Sequence, residues 1–136
     1  ATPSQKPPPV RTQNWQAPHR HKSNTNSEVT NNHHSVYVVE LEPGVSERRG
    51  LQRHNPDPEP ETPCVYVGMT GLTPEERFEN HKSGHRASSV VRDFGLRLLP
   101  ELSEGLDHLT YELAVRAEAD LAAYLRQNGY FVAGGH

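Results

Sequence analysis

In "SVYVVELE", residues 35–42, Val36 and Val38 fall on one side of an extended chain and Tyr37, Val39 and Leu41 on the other. Both sides are apolar at its centre, as in a strand buried on both faces. The run "CVYVG", residues 64–68, repeats the β-branched and aromatic pattern and stops at Gly68. Between the two, residues 43–63 contain "DPEPETP", whose prolines cannot donate to a sheet ladder and whose charges avoid a core. This stretch is expected to be a long loop joining two sheet neighbours. Helical signals begin at Thr73-Pro74-Glu75-Glu76: Thr73 can cap, Pro74 has the φ of a first helical position, and Glu76 completes a capping box. Gly84 is expected to close this helix and leave His85 just outside it. "ASSVVRD" reads as a short helix, "FGLRLLP" as a third strand stopped by Pro100, and residues 110–127 as the longest helix.

On a helical wheel of that last segment, Leu113, Ala114, Ala117, Leu121, Tyr124 and Leu125 fill one arc that would face a core. Glu118 falls just past the edge of the arc and Asp120 borders the opposite edge. A carboxylate there is either a rim residue reaching water or a ligand pointed into a cleft. The first helix poses a similar choice. Capping and the macrodipole explain its acidic start. Arg77 and His81 are not so explained, and they share one face because four residues advance about 400°. They are either part of a solvated face or two groups aimed at a common target.

Composition sharpens this picture at the N-terminus. With 136 residues, 32% hydrophobic content and 12 prolines, the chain suits one domain of about 100 residues plus flexible polar sequence. Residues 1–34, rich in Pro, Asn, Ser, Thr and Gln, have too few apolar groups to offset the entropy of ordering and are expected to be a mobile tail, with Trp15 a candidate to dock. "PPPV" there is a solvated linker or a polyproline segment. The His pairs at 19/21 and 33/34 have no acidic or Cys partners at ligand spacing. The tail carries four Lys and Arg against one Glu, and the rest 10 against 16 acidic residues, a balance of −6. That argues against a large sequence-independent nucleic-acid footprint but leaves room for a local basic cleft. The single Cys64 excludes an internal disulfide and a Cys-based zinc site, and fits a core-strand cysteine of a reducing compartment. No apolar run reaches a membrane span and no hydrophobic leader opens the sequence, so a cytoplasmic protein with no membrane partner is expected.

Taken in order, "VYV" on a first strand, "VYVG-x-T" on a second, an Arg and a His four apart on the next helix, and a Glu on a late helix resemble the GIY-YIG nuclease superfamily over residues 35–136. Ser35-Val36-Tyr37 stands where the family has Gly-Ile-Tyr, and Tyr66-Val67-Gly68 where it has Tyr-Ile-Gly. Arg77 and His81 match its R-x-x-x-H helix, and Glu118 its metal-binding glutamate. The chain departs from the pattern in Ser35 for Gly, in the separation of its two tyrosines by 29 positions, in Met69 where some members have Lys, and in Asn128 as the only candidate for a late Asn.

The resemblance implies an α+β fold, a small central antiparallel three-stranded sheet flanked by helices, and a one-metal site for DNA phosphodiester hydrolysis. In it Glu118 would hold Mg²⁺ or Mn²⁺, Arg77 would grip phosphate oxygens, Tyr37 would align or deprotonate water, His81 would take the proton from Tyr37, and Tyr66 would orient water or phosphate. Gly68, Thr70, Lys82 and Arg86 are expected beside the substrate. The alternative expectation is a domain of the same kind kept as a nucleic-acid or protein interaction module with little or no cleavage. A third, metal storage or transport by the scattered histidines, has the least support.

Overall fold

The computed structural model describes residues 32–135. The expectations of a docked Trp15, a polyproline segment and a His19/His21 pair lie outside the described residues, as do His136 and the expected mobile tail except for residues 32–34, where His34 forms an isolated antiparallel bridge with Leu109. Strand β1 (Ser35–Leu41) pairs antiparallel with β2 (Cys64–Thr70), placing Tyr37 opposite Gly68 and Val39 opposite Tyr66. The two are sheet neighbours and central, as their two-sided apolar pattern requires. The connection between them holds a 3₁₀ turn (Pro43–Glu47) and a short helix α1 (Arg49–Gln52). Helix α2 (Pro74–Ser83) follows with its capping box complete: the Thr73 side chain accepts from the Glu76 N–H at 3.1 Å, and Glu76 Oε1 accepts from the Thr73 N–H at 3.0 Å. Gly84 ends it at φ 89°, in the left-handed region. Helix α3 (Ser89–Phe94) leads directly into β3 (Gly95–Leu98), antiparallel to β1.

The sheet has a fourth strand, which corrects the expectation of three antiparallel ones. After the long helix α4 (Tyr111–Gln127), the chain turns at Asn128 and Gly129 into β4 (Phe131–Gly134), which runs parallel to β2. The order is β3-β1-β2-β4, and the fold is α+β with a mixed sheet. A parallel neighbour needs a long crossover rather than a hairpin, and α4, lying across the sheet, supplies its return.

Alternation along the strands separates two cores. Val36, Val38, Val65, Val67 and Val132 face α4, where Ala114, Ala117, Leu121 and Leu125 form the stripe read from the wheel. Tyr37, Val39, Leu41, Phe131 and Ala133 face the other way, against Phe78 of α2 and Val90, Val91 and Phe94 of α3. Among the described residues no helix is long and apolar enough to cross a membrane.

The long connection also protects the edge of the sheet. The buried Asn55 side chain donates to the Val132 carbonyl at 2.9 Å and accepts from the Val132 N–H at 2.8 Å, imitating a neighbouring strand for one residue of β4. Further along, the Glu59 N–H and the Thr62 hydroxyl both donate to the Gly129 carbonyl. Without these contacts β4 would present unpaired backbone to water or to another chain. Asn55→Ala removes the acceptor of the buried Val132 N–H and leaves the Val132 carbonyl to Arg126 Nη2 at 3.2 Å, and we expect it to lower the unfolding free energy by about 2–3 kcal/mol. Urea unfolding monitored by circular dichroism checks this; a loss under 0.5 kcal/mol, the scale of an ordinary surface change, would mean that β4 does not depend on the connection.

Candidate active site

Side chains from β1, β2 and α2 meet beside the Tyr37–Gly68 pair, and the charge of one α4 side chain reaches them. Tyr37 and Tyr66 point to the same face because they lie on diagonal positions of adjacent strands, and their ring centroids are 6.2 Å apart. Gly68 makes this approach feasible: a Cβ there would come within 2.6 Å of the Tyr37 Oη and 2.9 Å of Tyr66 Cε1. Any other residue would push the two rings away from each other. The glycine is thus a steric requirement of the tyrosine pair, besides ending the apolar run.

Helix α2 brings His81 onto these rings. Its centroid lies 6.1 Å from Tyr37 and 5.8 Å from Tyr66, the latter edge-on. His81 Nε2 is 2.8 Å from the Tyr37 Oη, and His81 Nδ1 accepts from the Ser88 backbone N–H at 3.0 Å. The side chain is wholly buried, so the solvated-face reading does not hold for it. Burial, and then the Arg77 guanidinium, push its pKa down to about 4, leaving the ring neutral near pH 7.

Arg77, one turn earlier on α2, is half-buried and forms no ion pair with a carboxylate among the described residues. Its Nη2 donates to the Arg86 carbonyl at 2.8 Å, which ties the guanidinium to the loop after the helix. Arg86 itself has φ 48° and an exposed side chain. Burial raises the phenol pKa of Tyr37 far above its ordinary value, Tyr66 and Glu118 add to the rise, and Arg77 opposes it. Tyr66 is raised as well, first by burial, with Ser88 and Arg77 acting against the rise and the Glu118 charge with it.

Glu118 comes to this site from the helix on the opposite face of the sheet, and its charge acts on both phenols. Only 8% of it is exposed, and it has no hydrogen-bond partner among the described residues. Burial alone pushes its carboxyl up to about 7. The wheel's choice between rim and cleft resolves in favour of burial, whereas Asp120 is exposed. Gly134, the last residue of β4, lies against the Tyr66 ring. At φ 77° it ends β4 over Tyr66, and a Cβ there would meet the Val67 carbonyl and lie 2.9 Å from Tyr66 Cε2.

The remaining candidates have other employment. Lys82 Nζ donates to the carbonyls of Arg92 and Gly95 at 3.1 and 2.9 Å, stapling α2 to the α3–β3 junction. The buried Thr70 hydroxyl accepts from the Leu72 N–H and shapes the turn into α2. Asn128 Nδ2 donates to the Tyr124 carbonyl and closes α4, and His85 is exposed beyond the end of α2. Met69 packs toward α4, on the face away from the tyrosines. His33 and His34 stack at 4.7 Å, yet no group of three His, Cys, Asp or Glu able to hold a metal ion occurs among the described residues. A separate groove at the start of α2 is lined by Glu75, Glu76, Glu104 and Asp107, a poor surface for phosphates. Ser88 is the participant that pattern reading passed over. Its place before "SVVRD" marks a helix N-cap, but its side chain makes no cap bond, and nothing in the pattern shows its N–H turning to His81.

Compared with known families, with curated proteins and with solved structures, the chain matches none. The site's chemistry must therefore be argued from its own geometry.

The neutral His81 has a measurable consequence. Between its unfolded value of 6.5 and its folded value of about 4, the unfolded chain binds the proton and the folded one does not. This contribution is fully present above pH 6.5, is lost progressively as pH falls toward 4, and changes no further below that. Wild type should lose more stability than His81→Gln between pH 7.5 and 4.5 in urea unfolding. Equal losses would mean that the imidazole titrates as if in water.

Proposed function

We propose that this chain is a metal-dependent endonuclease of the GIY-YIG kind, hydrolysing DNA phosphodiester bonds. The observation that carries this reading is that residues from four separate elements converge: Tyr37, Tyr66 and His81 pack together beside Gly68, Arg77 bonds to Tyr37, and the Glu118 charge acts on both phenols. Residues that merely decorate strands and helices have no reason to converge.

Each side chain suits a part of the reaction. Arg77 offers a planar fork with no carboxylate partner, fit to hold two oxygens of a phosphodiester as charge builds on them. Tyr37 and Tyr66, kept protonated by burial, can orient a phosphate oxygen or the attacking water. Their rings and His81 exclude bulk water from one side of the reacting phosphorus, which strengthens every charge interaction there. Glu118 is a buried acceptor without a partner, and such a single carboxylate suits a hard divalent ion otherwise held by water and phosphate oxygens. Mg²⁺ or Mn²⁺ bound there would stabilise the negative charge of the leaving 3′ oxygen and of the crowded phosphoryl group. The second reading, a binding module with little cleavage, is favoured by the −6 balance of residues 35–136 and by the commitment of Lys82 to structural carbonyls.

Supercoiled plasmid and short branched duplexes, incubated with the protein and Mg²⁺, Mn²⁺ or EDTA, separate the two. We expect nicking or cutting with either metal and none in EDTA. Glu118→Gln should keep the fold by circular dichroism and lower the rate at least ~100-fold, as for a lost metal contact. Arg77→Lys keeps the charge and loses the fork, and should cost about 2–4 kcal/mol of transition-state stabilisation. Binding without cleavage under every metal condition would favour the module instead. Full activity in both variants would remove these residues from the chemistry.

A further inference from the structure

The two hydrogen bonds on His81 determine where its ring proton sits. A neutral imidazole carries one N–H and one bare nitrogen, whereas a backbone N–H can only donate. Ser88 N–H meets Nδ1 at 3.0 Å, so Nδ1 is the bare nitrogen and the proton belongs to Nε2. Nε2 is the atom 2.8 Å from the Tyr37 Oη. We propose that Ser88 locks His81 as a hydrogen-bond donor to Tyr37, making His81 and Ser88 positioning residues that aim the Tyr37 hydroxyl rather than acceptors of its proton.

Several independent features hold this arrangement in place. His81 is entirely buried, so water does not compete for either nitrogen. Its low pKa, caused by burial and then by Arg77, keeps a second proton off Nδ1 at neutral pH. The loop that delivers the Ser88 N–H is itself fastened: Gly84 turns the chain, the His85 N–H returns to the Asn80 carbonyl at 2.8 Å, and Arg77 Nη2 grips the Arg86 carbonyl. Lys82 fixes the far end of α3 through Arg92 and Gly95. The donor that sets the tautomer thus sits in a closed clip of about eight residues, with no freedom to withdraw without opening it.

The consequence for Tyr37 is directional. With one lone pair of its oxygen taken by the His81 Nε2–H, its own proton must point elsewhere, toward the sides on which Tyr66, Arg77 and Glu118 lie. Tyr37 then presents an O–H to an oxygen there, that of Tyr66 or of a bound phosphate or water. This deepens the hydrolytic reading, on which its catalytic meaning rests. The tautomer can be tested without activity.

Long-range ¹H–¹⁵N correlation spectra of the full chain labelled at its histidines, with His81 assigned by its disappearance in His81→Gln, report which ring nitrogen is protonated. We expect an unprotonated Nδ1 and a protonated Nε2, unchanged from pH 5.5 to 8. A protonated Nδ1, an averaged pair or a cationic ring in that range would overturn the proposal. The second arm uses cleavage. The amide of Gln can place an N–H where Nε2 lies but cannot take up a proton at that pH, whereas Ala can do neither. A positioning donor predicts that His81→Gln keeps at least a tenth of the wild-type rate and that His81→Ala falls ~100-fold or more below it. A His81→Gln variant that folds and is as inactive as His81→Ala would make His81 the proton acceptor. Absence of cleavage by wild type would sink the nuclease reading and leave the spectra to decide the tautomer on their own.

Discussion

Helix α2 fully buries one residue, and that residue is a histidine. Apart from the half-buried Phe78, the segment "PEERFENHKS" has almost nothing apolar to offer the sheet. Hydrophobic burial therefore cannot by itself fix how α2 lies on the tyrosine face. The bond between His81 and Tyr37 supplies the direction that burial lacks, since a hydrogen bond tolerates little change in distance or angle. Everything attached to α2 inherits that placement: the guanidinium of Arg77, the staple from Lys82, and the loop carrying Ser88 back to the ring. The bond in turn depends on Gly68, because a side chain there would move the Tyr37 ring out of line.

Much of this could be read along the chain because it is written in local rules. Strands β1 and β2 showed themselves through alternation, α2 through a capping box and a closing glycine, and α4 through its apolar arc. Their relative placement gives the two-tyrosine pair, since diagonal neighbours on paired strands share a face. What escaped reading depends on contacts distant in sequence. Strand β4 is four residues long, and nothing in its pattern states that α4 will deliver it parallel to β2. Asn55 looked like one polar loop residue among many, yet it completes the edge of that strand from 77 positions away. Ser88 acts through its backbone, and backbone donors carry no signature in residue type. Glu118 sat at the margin of a wheel. The wheel knows the direction of a side chain but not which groups of other elements its charge will reach.

The charges of the site are arranged against ordinary stability. Arg77 and Glu118 are both near the phenols, yet neither is neutralised by an ion pair among the described residues. A carboxylate without partners in a buried position costs free energy, which is why its proton is held until about pH 7. Four acidic side chains line the groove at the start of α2, and none of Tyr37, Tyr66, Arg77, His81 and Glu118 lines it.

A structural account of the cluster leaves a remainder. Tyr37 and His81 by themselves could be a satisfied polar pair inside a core, and such pairs serve to fix one packing. Replacing Glu118 by an apolar residue of similar size would relieve an unpaired buried acid with no loss of any hydrogen bond seen here. Replacing Arg77 would cost one loop contact and its hydrogen bond with Tyr37. A fold selected for stability alone has no use for an uncompensated acid and a carboxylate-free arginine flanking one polar pair. A ligand that brings both a cation for Glu118 and oxyanions for Arg77 would satisfy them together, and a metal-bound phosphodiester has that composition.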